Sequence, residues 1–350
     1  MSGLSTWWWR HLAPVAVAAL AGCGHESPLV VEDYAPNEPS DTGPLVRLTY
    51  NPGVDLGPSW LPDGSGFLYT AQRIDRADVD RCFALLPAAG GTIQREICNR
   101  APAADDSLNV YTAPASASDG RLAYVRATSS LAVGPPLFPH YHELVLATLA
   151  GPDQAAVLER LPVTGPSGAV YGEVTHLHWL GEGALVFVAQ HVEYVSLCRG
   201  CPPDTLSSGV EIARIELGGP TPTLSVLPRT DQASSLDVAG SDTIYFTVNA
   251  DPRVFRLILS IDLLEVVRDF GAGVVARDVQ VVGQRLVAVV GGNVATISQP
   301  GVGTFQVDSG GTLVLVDLAG GLETPLTPPG LLFRRPALSP DGRRVVAEQV

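Results

Sequence analysis

Six segments of this chain repeat one layout, in which a turn is followed at once by an apolar or alternating strand. The equivalent positions in the six units are Trp60, Ser116, Trp179, Val238, Val281 and Leu338, so successive units are 56, 63, 59, 43 and 57 residues apart. A constant core with uneven spacing indicates one structural unit whose copies are joined by loops of variable length.

Most units also carry a second half, in which a strand leads through a Gly- or Pro-containing turn to another strand, as in 85–97, 215–227 and 313–326. The chain has 36 glycines and 29 prolines, and charged residues make up only 17% of it. Helical bundles need more charged residues on their wet faces, since roughly 25% is the average. The pattern therefore predicts units of four antiparallel strands, which are the blades of a β-propeller.

Two of the turns read Pro-Asp-Gly, at 62–64 and 340–342, and a third keeps Asp119-Gly120. In such a turn proline fixes φ, aspartate caps the turn, and glycine takes a positive φ. A later hairpin reads Asp-Leu-Ala-Gly-Gly at 317–321 and is followed by Leu-Thr at 326–327. Together these motifs resemble the TolB-type (PD40, WD40-like) repeat over about 45–350. That resemblance implies the propeller fold and is not specific for an activity.

The fold expected from the six units is all-β, a six-bladed β-propeller of four-stranded antiparallel blades over residues 44–350. The sixth unit shows only its first two strands. Leu45–Thr49 has the pattern of an outermost strand, and 29–31 is a further candidate. We therefore expect amino-terminal strands to close the ring, and deletion of 44–50 to unfold it. Trp60 and Trp179, on innermost strands, are expected to pack between blades.

The amino terminus has the features of a bacterial lipoprotein signal peptide. Arg10 precedes an apolar stretch from Leu12 to Gly22, which is too short to span a bilayer as a mature helix. The stretch ends in Leu-Ala-Gly-Cys, which resembles the lipobox, in which the cysteine is lipidated. Residues 1–22 are thus predicted as signal peptide and 23–43, beginning with the lipidated Cys23, as a flexible tether. By resemblance to proteobacterial sorting, Gly24 favours the outer membrane over the inner one.

Four further cysteines suit an oxidising compartment and allow two disulfides. Cys82 and Cys98 flank a Gly-Gly turn almost symmetrically and are candidates for a bond across a hairpin. Cys198 and Cys201 form a CxxC in a Pro/Gly-rich loop, which suits a local disulfide. A redox or zinc role for this CxxC lacks the usual sequence context.

Two His-x-His pairs are the candidate metal ligands, His140 with His142 and His176 with His178. On a regular strand, residues i and i+2 point the same way, so each pair suits zinc or copper. The alternative is that the first pair lies at a loop edge and the second consists of ordinary channel or inter-blade residues. The sequence requires no cofactor, and it leaves both interpretations open.

Known catalytic motifs find little support. All 22 basic residues are arginine, which excludes a Schiff-base or phosphate-binding lysine. The acids around Asp78 lack the glycine and distal glutamate of a calcium loop. Ser309, in Asp-Ser-Gly-Gly, resembles a protease nucleophile, but it lacks the structural context of that motif, and the chain has no histidine after His191.

The function expected from the sequence is binding rather than catalysis. The net charge of −14 argues against nucleic acid as a partner. Three long loops, 127–139, 190–210 and 291–310, are predicted to share one face, which is the natural binding surface. We expect an envelope-anchored binding or scaffold module for a protein or small ligand, facing the periplasm or the cell surface. The alternative is a metal-dependent or carbohydrate-active enzyme that uses the histidine cluster.

Overall fold

A computed structural model describes residues 45–49, 53–73, 81–97, 107–130, 141–151, 156–161, 163–164, 170–195, 204–219, 221–292, 294–299 and 303–350. The chain divides into two units, Met1–Tyr50 and Asn51–Val350. The predicted signal peptide and tether, residues 1–43, lie outside the described residues. Within the described ranges, no helix is long and apolar enough to cross a membrane.

Asn51–Val350 is built from antiparallel sheets that follow one another along the chain. Blade one consists of β1 (Gly53–Trp60), β2 (Gly66–Arg73), β3 (Phe83–Pro87) and β4 (Arg95–Ile97). Blade two consists of β5 (Ser107–Ser116), β6 (Arg121–Ser130), β7 (Tyr141–Thr148) and β8 (Ala156–Leu161). Blade three consists of β10 (Val170–Leu180), β11 (Ala184–Val195), β12 (Asp204–Glu216) and β13 (Thr223–Val226), with the short β9 (Val163–Thr164) on the inner side of β10.

The second half of the unit continues this order. Blade four consists of β14 (Ala233–Ala239), β15 (Thr243–Val248), β16 (Arg253–Ile258) and β17 (Leu263–Asp269), with a 3₁₀ turn at Leu259–Ile261. Blade five consists of β18 (Ala276–Val282), β19 (Arg285–Val290), β22 (Thr312–Asp317) and β23 (Glu323–Pro325). A separate hairpin, β20 (Val294–Gln299) and β21 (Gly303–Asp308), is inserted between its second and third strands. The last sheet has two strands, β24 (Phe333–Leu338) and β25 (Val345–Gln349).

The predicted β-propeller of four-stranded antiparallel blades is confirmed, but the predicted number of six such blades was wrong. The described residues form five complete blades, and the sixth unit contributes only the two-stranded sheet β24–β25. The sequence repeat marks the first strand pair of each unit, which this last unit does have. It cannot show whether two outer strands complete that pair.

The apolar strand runs predicted from the sequence are explained by burial on both faces of the second strand of a blade. In β11, Leu185 and Phe187 join a buried cluster shared with blade two, whereas Val186 and Val188 join a cluster shared with blade four. Further clusters join blade one to blade two and blade four to blade five. The hydrophobic core thus lies between successive blades, as it must where sheets stack around an axis.

The Asp-Gly turns have the geometry predicted for them. Asp63 Oδ1 accepts hydrogen bonds from Ser65 N at 2.9 Å and Ser65 Oγ at 2.7 Å, and Gly64 has a φ of 70°. The hydrogen bond from the Ser65 amide is the main reason why the pKa of Asp63 is lowered. Asp341 is held in the same way by Ser339 Oγ at 2.6 Å and Arg343 N at 3.0 Å.

The two tryptophans pack between blades, as predicted. Trp179 Nε1 in blade three donates to Ala115 O in blade two at 2.9 Å, and Trp60 Nε1 in blade one donates to Ala337 O in the sixth sheet at 2.9 Å. An arginine of the preceding unit covers each indole, with Arg121 Cζ 4.3 Å from the ring centroid of Trp179.

The ring is closed by the sixth sheet packing directly on blade one. Besides the Trp60 bond, Arg344 Cζ lies 4.9 Å from the Trp60 ring centroid, and Arg344 Nη1 donates to Ala88 O at 3.1 Å. The predicted closing strand, Leu45–Thr49, contains no strand, and the further candidate 29–31 lies outside the described residues. The expectation of a strand at 45–49 was therefore wrong, because an apolar alternation is a local pattern, whereas strand pairing depends on residues elsewhere in the chain.

Cys82 is buried and disulfide-bonded. The β3–β4 hairpin pairs Phe83 with Ile97, so one further step in that register leads to positions 82 and 98. Cys98 itself lies outside the described residues, as do Cys198 and Cys201. The Cys82–Cys98 pairing stays a prediction with which this hairpin agrees, and the Cys198–Cys201 pairing is untested.

Candidate functional site

The innermost strands carry a β-bulge at one repeated position. In five of the six units a residue there adopts a left-handed backbone: Gly57, Ala113, His176, Asp278 and Arg335, with φ between 48° and 58°. Each stands three residues before the equivalent position that defines the repeat, and the strand register shifts at each of them. A bulge re-aims the side chain that it carries. Three of these five side chains are ionisable, and they meet in the centre of the ring.

His176, Asp278 and Arg335 form the middle of this cluster. His176 Nε2 lies 3.3 Å from Asp278 Oδ1, a contact that joins blade three to blade five past blade four. Arg335 N donates to the other oxygen, Asp278 Oδ2, at 2.8 Å. The second ring nitrogen, His176 Nδ1, lies 3.1 Å from Thr175 Oγ1. Both nitrogens of His176 are thus engaged by the chain itself.

These contacts set the charge of Asp278, whose side chain is 12% exposed. Burial alone raises the pKa of a carboxyl group, because it disfavours the charged form. The hydrogen bond and charge of His176, the amide of Arg335 and the charge of Arg335 outweigh burial and lower the pKa to about 2. Asp278 is therefore an anion that fixes its neighbours, and not a proton donor near neutral pH.

A second pair lies one step along the same strand. His178 Nδ1 is 3.1 Å from Asp237 Oδ1 in blade four. Asp237 Oδ2 accepts a hydrogen bond from Val281 N in blade five at 2.5 Å. The carboxylate thereby connects three blades, with only about a tenth of its side chain exposed.

Glu348 completes the cluster at the closure of the ring. Its Oε1 accepts from Gly57 N in blade one at 2.5 Å and from Arg335 Nη1 at 3.2 Å, and its Oε2 accepts from Arg334 Nε at 2.6 Å. The side chain is 5% exposed. Asp237, Asp278 and Glu348 thus each accept a hydrogen bond from a backbone amide on the inner strand of the next unit.

This channel cluster, defined as His176, His178, Asp237, Asp278, Arg335 and Glu348, joins blade three to blade one by way of blades four and five and the sixth sheet. Its carboxylates bind imidazole, guanidinium and amide groups of neighbouring strands, so the cluster holds the inner strands together. Among the described residues, no group of three or more His, Cys, Asp or Glu side chains is placed to hold a metal ion.

The predicted histidine ligands are only partly placed. His140 lies outside the described residues, and His142 lies on β7, where only its backbone is described. His176 and His178 take different carboxylates, because the bulge between Thr175 and His178 breaks the strand alternation on which the His-x-His argument rests. Whether the two pairs converge on zinc or copper stays a prediction.

Four members of the channel cluster were missed by sequence reasoning: Asp237, Asp278, Arg335 and Glu348. A usable signal does exist for Asp278 and Arg335, because each stands three residues before its repeat position. The signal is weak, since the same position holds glycine in unit one and alanine in unit two.

Among the described residues, three blades extend the connection between their second and third strands. The strands β6 and β7 are 10 and 8 residues long, β11 and β12 are 12 and 13, and blade five inserts the hairpin β20–β21. In antiparallel blades these connections lie at the end where the inner strands begin, opposite the Asp-Gly turns. We call the end bearing these three connections the hairpin face. The predicted loops at 190–210 and 291–310 were therefore largely wrong as loops, since much of each is strand.

The base of the β20–β21 hairpin is fixed between blade five and the sixth sheet. Arg277 Nη2 donates to Gly291 O at 3.0 Å and to Gly310 O at 2.9 Å. Gly311 exchanges backbone hydrogen bonds with Phe333 at 2.8 and 2.9 Å. The base of the hairpin is therefore held by Arg277, which is next to Asp278, and by Phe333, which is two residues before Arg335.

Comparisons with known proteins identify the fold and leave the activity open. No protein family model matches the chain, and no curated protein matches it by sequence. A gluconolactonase from Xanthomonas campestris is similar in structure, with 13% identity, a TM-score of 0.52, and coverage of 87% of this chain and 85% of that one. At this identity the likeness shows a shared fold only.

Two other solved structures are more distant. TolB from Acinetobacter baumannii has 14% identity and a TM-score of 0.47, and the match covers 84% of this chain and 57% of that one. Oligogalacturonate lyase from Vibrio parahaemolyticus has 10% identity and a TM-score of 0.46, with coverage of 86% and 89%. The four-stranded blades and Asp-Gly turns of this chain itself confirm the fold of the TolB-type propeller recognised from the repeats.

Proposed function

We propose that this protein is a lipid-anchored β-propeller of the bacterial cell envelope that binds a protein partner through its hairpin face. In this proposal the propeller is a rigid platform, Cys23 carries the lipid, and the partner is held at the envelope. A small ligand in place of a protein is the nearest variant of the same function.

The extended connections of the hairpin face carry this proposal. A blade needs only a short turn between its second and third strands, yet three blades lengthen this connection, and the repeat brings these extensions together at one end of the propeller. Loops and hairpins on a rigid scaffold are where proteins usually place their binding residues. The Arg277 clamp and the close Gly311–Phe333 pairing fix one hairpin at its base, which lowers the ordering cost of binding.

The location in the proposal rests on the Leu-Ala-Gly-Cys motif at 20–23 and the apolar stretch before it. Metabolic labelling with a fatty acid, compared between the full chain and Cys23→Ser, tests it. We expect label in the full chain, none in the variant, and recovery with the outer membrane. Label that persists in Cys23→Ser, or cleavage of the chain at a site other than the bond before Cys23, would contradict the lipid anchor.

The binding function is tested by shortening one hairpin. Replacing 294–308 by a two-residue turn removes β20–β21 and keeps the glycines at its base. We expect the partner that copurifies with the lipidated full chain after crosslinking in cells to be lost, with the melting temperature nearly unchanged. Substituting the exposed Asp-Gly turn at 119–120 by Asn-Gly, on the opposite face, is the matched control and should retain the partner.

An enzyme that uses the histidine cluster is the alternative function. The geometry of His176 favours the binding function instead, because Thr175 and Asp278 engage both of its ring nitrogens. A metal ligand needs a ring nitrogen whose lone pair is available to the metal. Stoichiometric zinc or copper in purified protein, lost in His176→Ala, would shift the choice to the enzyme.

A further inference from the structure

A hydroxyl group extends the channel cluster into a series of three side chains within hydrogen-bonding reach of one another. Thr175 Oγ1 lies 3.1 Å from His176 Nδ1, and His176 Nε2 lies 3.3 Å from Asp278 Oδ1. A hydroxyl, a base and a carboxylate joined in this order are the nucleophile, the general base and the orienting acid of hydrolases that form an acyl-enzyme. Holding the inner strands together uses His176 and Asp278 and leaves the hydroxyl of Thr175 unexplained.

Asp278 places the protons of this series. Against the effect of burial, its contacts with His176 and Arg335 lower the pKa of the carboxyl group to about 2, so it is ionised near neutral pH and can only accept hydrogen bonds. His176 Nε2 therefore carries a proton and donates to Asp278, and in the neutral ring the lone pair is on Nδ1. This lone pair is the acceptor for the Thr175 hydroxyl. The two contacts that keep His176 from a metal are thus the contacts of a general base.

The hydroxyl end of the series is accessible, and the carboxylate end is more enclosed. Thr175 is partly exposed, and the side chain of His176 is 22% exposed against 12% for Asp278. His176 and Asp278 both have a left-handed backbone, with φ of 50° and 49°. Such a backbone costs about 1–3 kcal/mol for a residue other than glycine and is common at active sites. Ala113 has the same backbone and no reactive group, so it is the meeting of the three side chains that indicates chemistry.

We propose that Thr175 is the nucleophile of an acyl-transfer site that hydrolyses small carboxylic esters, with His176 as its general base and Asp278 as a positioning residue. An ester is the expected substrate, because its alkoxy group leaves more readily than the amine of an amide. This activity needs no partner on the hairpin face, so the inference stands or fails independently of the proposed function.

The reaction takes two steps, and His176 carries the proton in both. Thr175 Oγ1 forms a bond to the acyl carbon and its proton passes to His176 Nδ1, which returns it to the alkoxy oxygen as the bond between that oxygen and the acyl carbon breaks. Water then adds to the acyl carbon and gives one proton to His176. The acid leaves, and Thr175 takes the proton back. One ester and one water thus become one acid and one alcohol.

The variants for the test change the hydroxyl and little else. Thr175→Val removes the hydroxyl and keeps the shape of the side chain, whereas Thr175→Ser keeps a hydroxyl. Ser234 stands at the equivalent position of the fourth unit, four residues before Val238, and its Oγ lies 2.9 Å from Thr247 Oγ1 instead of an imidazole. Ser234→Ala is therefore the matched control. All three variants should melt within a few degrees of the unchanged protein, which separates loss of activity from loss of fold.

The probe is p-nitrophenyl acetate, and the release of p-nitrophenol is followed for the full chain near neutral pH. We expect turnover in the full chain that is retained in Thr175→Ser and in Ser234→Ala. In Thr175→Val and His176→Gln the rate should fall by about 100-fold or more, as is usual when a nucleophile or general base is lost. No turnover in the full chain, or a folded Thr175→Val as active as the full chain, would overturn the proposal.

Peptide mass spectrometry after a rapid acid quench locates the acyl group. We expect one acetyl group on Thr175 of the full chain and none on the same peptide of Thr175→Val. An acetyl group on another residue alone, or none in the full chain, would overturn the assignment of the nucleophile.

Asp278→Asn tests the positioning residue by separating kcat from KM. The amide can donate to the imidazole and so favours the wrong tautomer, but it does not touch the ester. We expect kcat of the folded variant to fall by about 100-fold or more with KM unchanged. A rise in KM with kcat unchanged would show that Asp278 does not orient the base.

Discussion

Removal of the Glu348 carboxylate tests how the ring is closed. Glu348 is 5% exposed and accepts hydrogen bonds from Gly57, Arg334 and Arg335, which lie in blade one and the sixth sheet. In Glu348→Ala the Gly57 amide and two guanidinium groups lose their acceptor together. Removing one side of a buried ion pair costs about 3–5 kcal/mol. Arg334 and Arg335 are 24% and 46% exposed and can turn to water, so we expect the lower end of that range.

The assay is thermal and urea unfolding of the full chain, compared with a matched variant. For a unit of this size, a loss of about 3 kcal/mol corresponds to a fall in the melting temperature of roughly 5 °C. The control is Glu265→Ala, which removes the acid of the half-exposed Arg256–Glu265 pair within blade four and should cost about 0–1 kcal/mol. Glu348→Gln, which keeps an acceptor oxygen, should fall between the two. Equal losses in Glu348→Ala and Glu265→Ala would refute the closure described above.

Three further predictions concern the channel, the inter-blade contacts and the hairpin base. Because its pKa is lowered to about 2, the Asp278 carboxylate contributes about 2 kcal/mol to the free energy of unfolding above pH 4, and this contribution is lost as the pH falls towards 2. Asp278→Asn should therefore flatten the acid limb of a pH–stability curve, and an unchanged limb would contradict the assignment. Trp179→Phe keeps the ring packing and loses the bond to Ala115 O, and should cost about 1–2 kcal/mol in chemical denaturation, whereas no loss would show that the bond contributes nothing. Gly292→Ala would place Cβ 1.6 Å from Gly310 O and should lower the melting temperature. The control is Gly291→Ala, at a position with a similar φ and open space around the added Cβ, which should destabilise the protein clearly less. Equal melting temperatures would mean that the hairpin base is loose.

The repeat and its turns could be predicted because their causes are local. Proline, aspartate and glycine dictate the turn wherever they stand in that order, as the hydrogen bonds of Asp63 show. The indole of Trp179 needs a buried position with an acceptor, and an inner strand between two sheets supplies it. These features need no knowledge of distant parts of the chain.

The closure and the channel cluster depend on contacts between distant residues, which the sequence does not show. Glu348 meets Gly57 across almost the whole chain, and nothing in either local sequence pairs them. The left-handed bulge at Ala113, His176 and Asp278 has only a weak sequence signature, because no glycine marks it, although aspartate and histidine adopt this conformation more often than other side chains. The strand alternation assumed for the two histidines therefore failed at the bulge.

The most direct test of the binding function is site-specific photo-crosslinking of the lipidated chain in cells, from both ends of the propeller. Positions Ser129 and Thr304 report on the hairpin face, whereas Pro62 and Ser118, in exposed turns, report on the opposite face. We expect one protein to be captured in stoichiometric amounts from the first two positions and not from the second two. Capture from the turn positions alone, or equal capture from both ends, would contradict it.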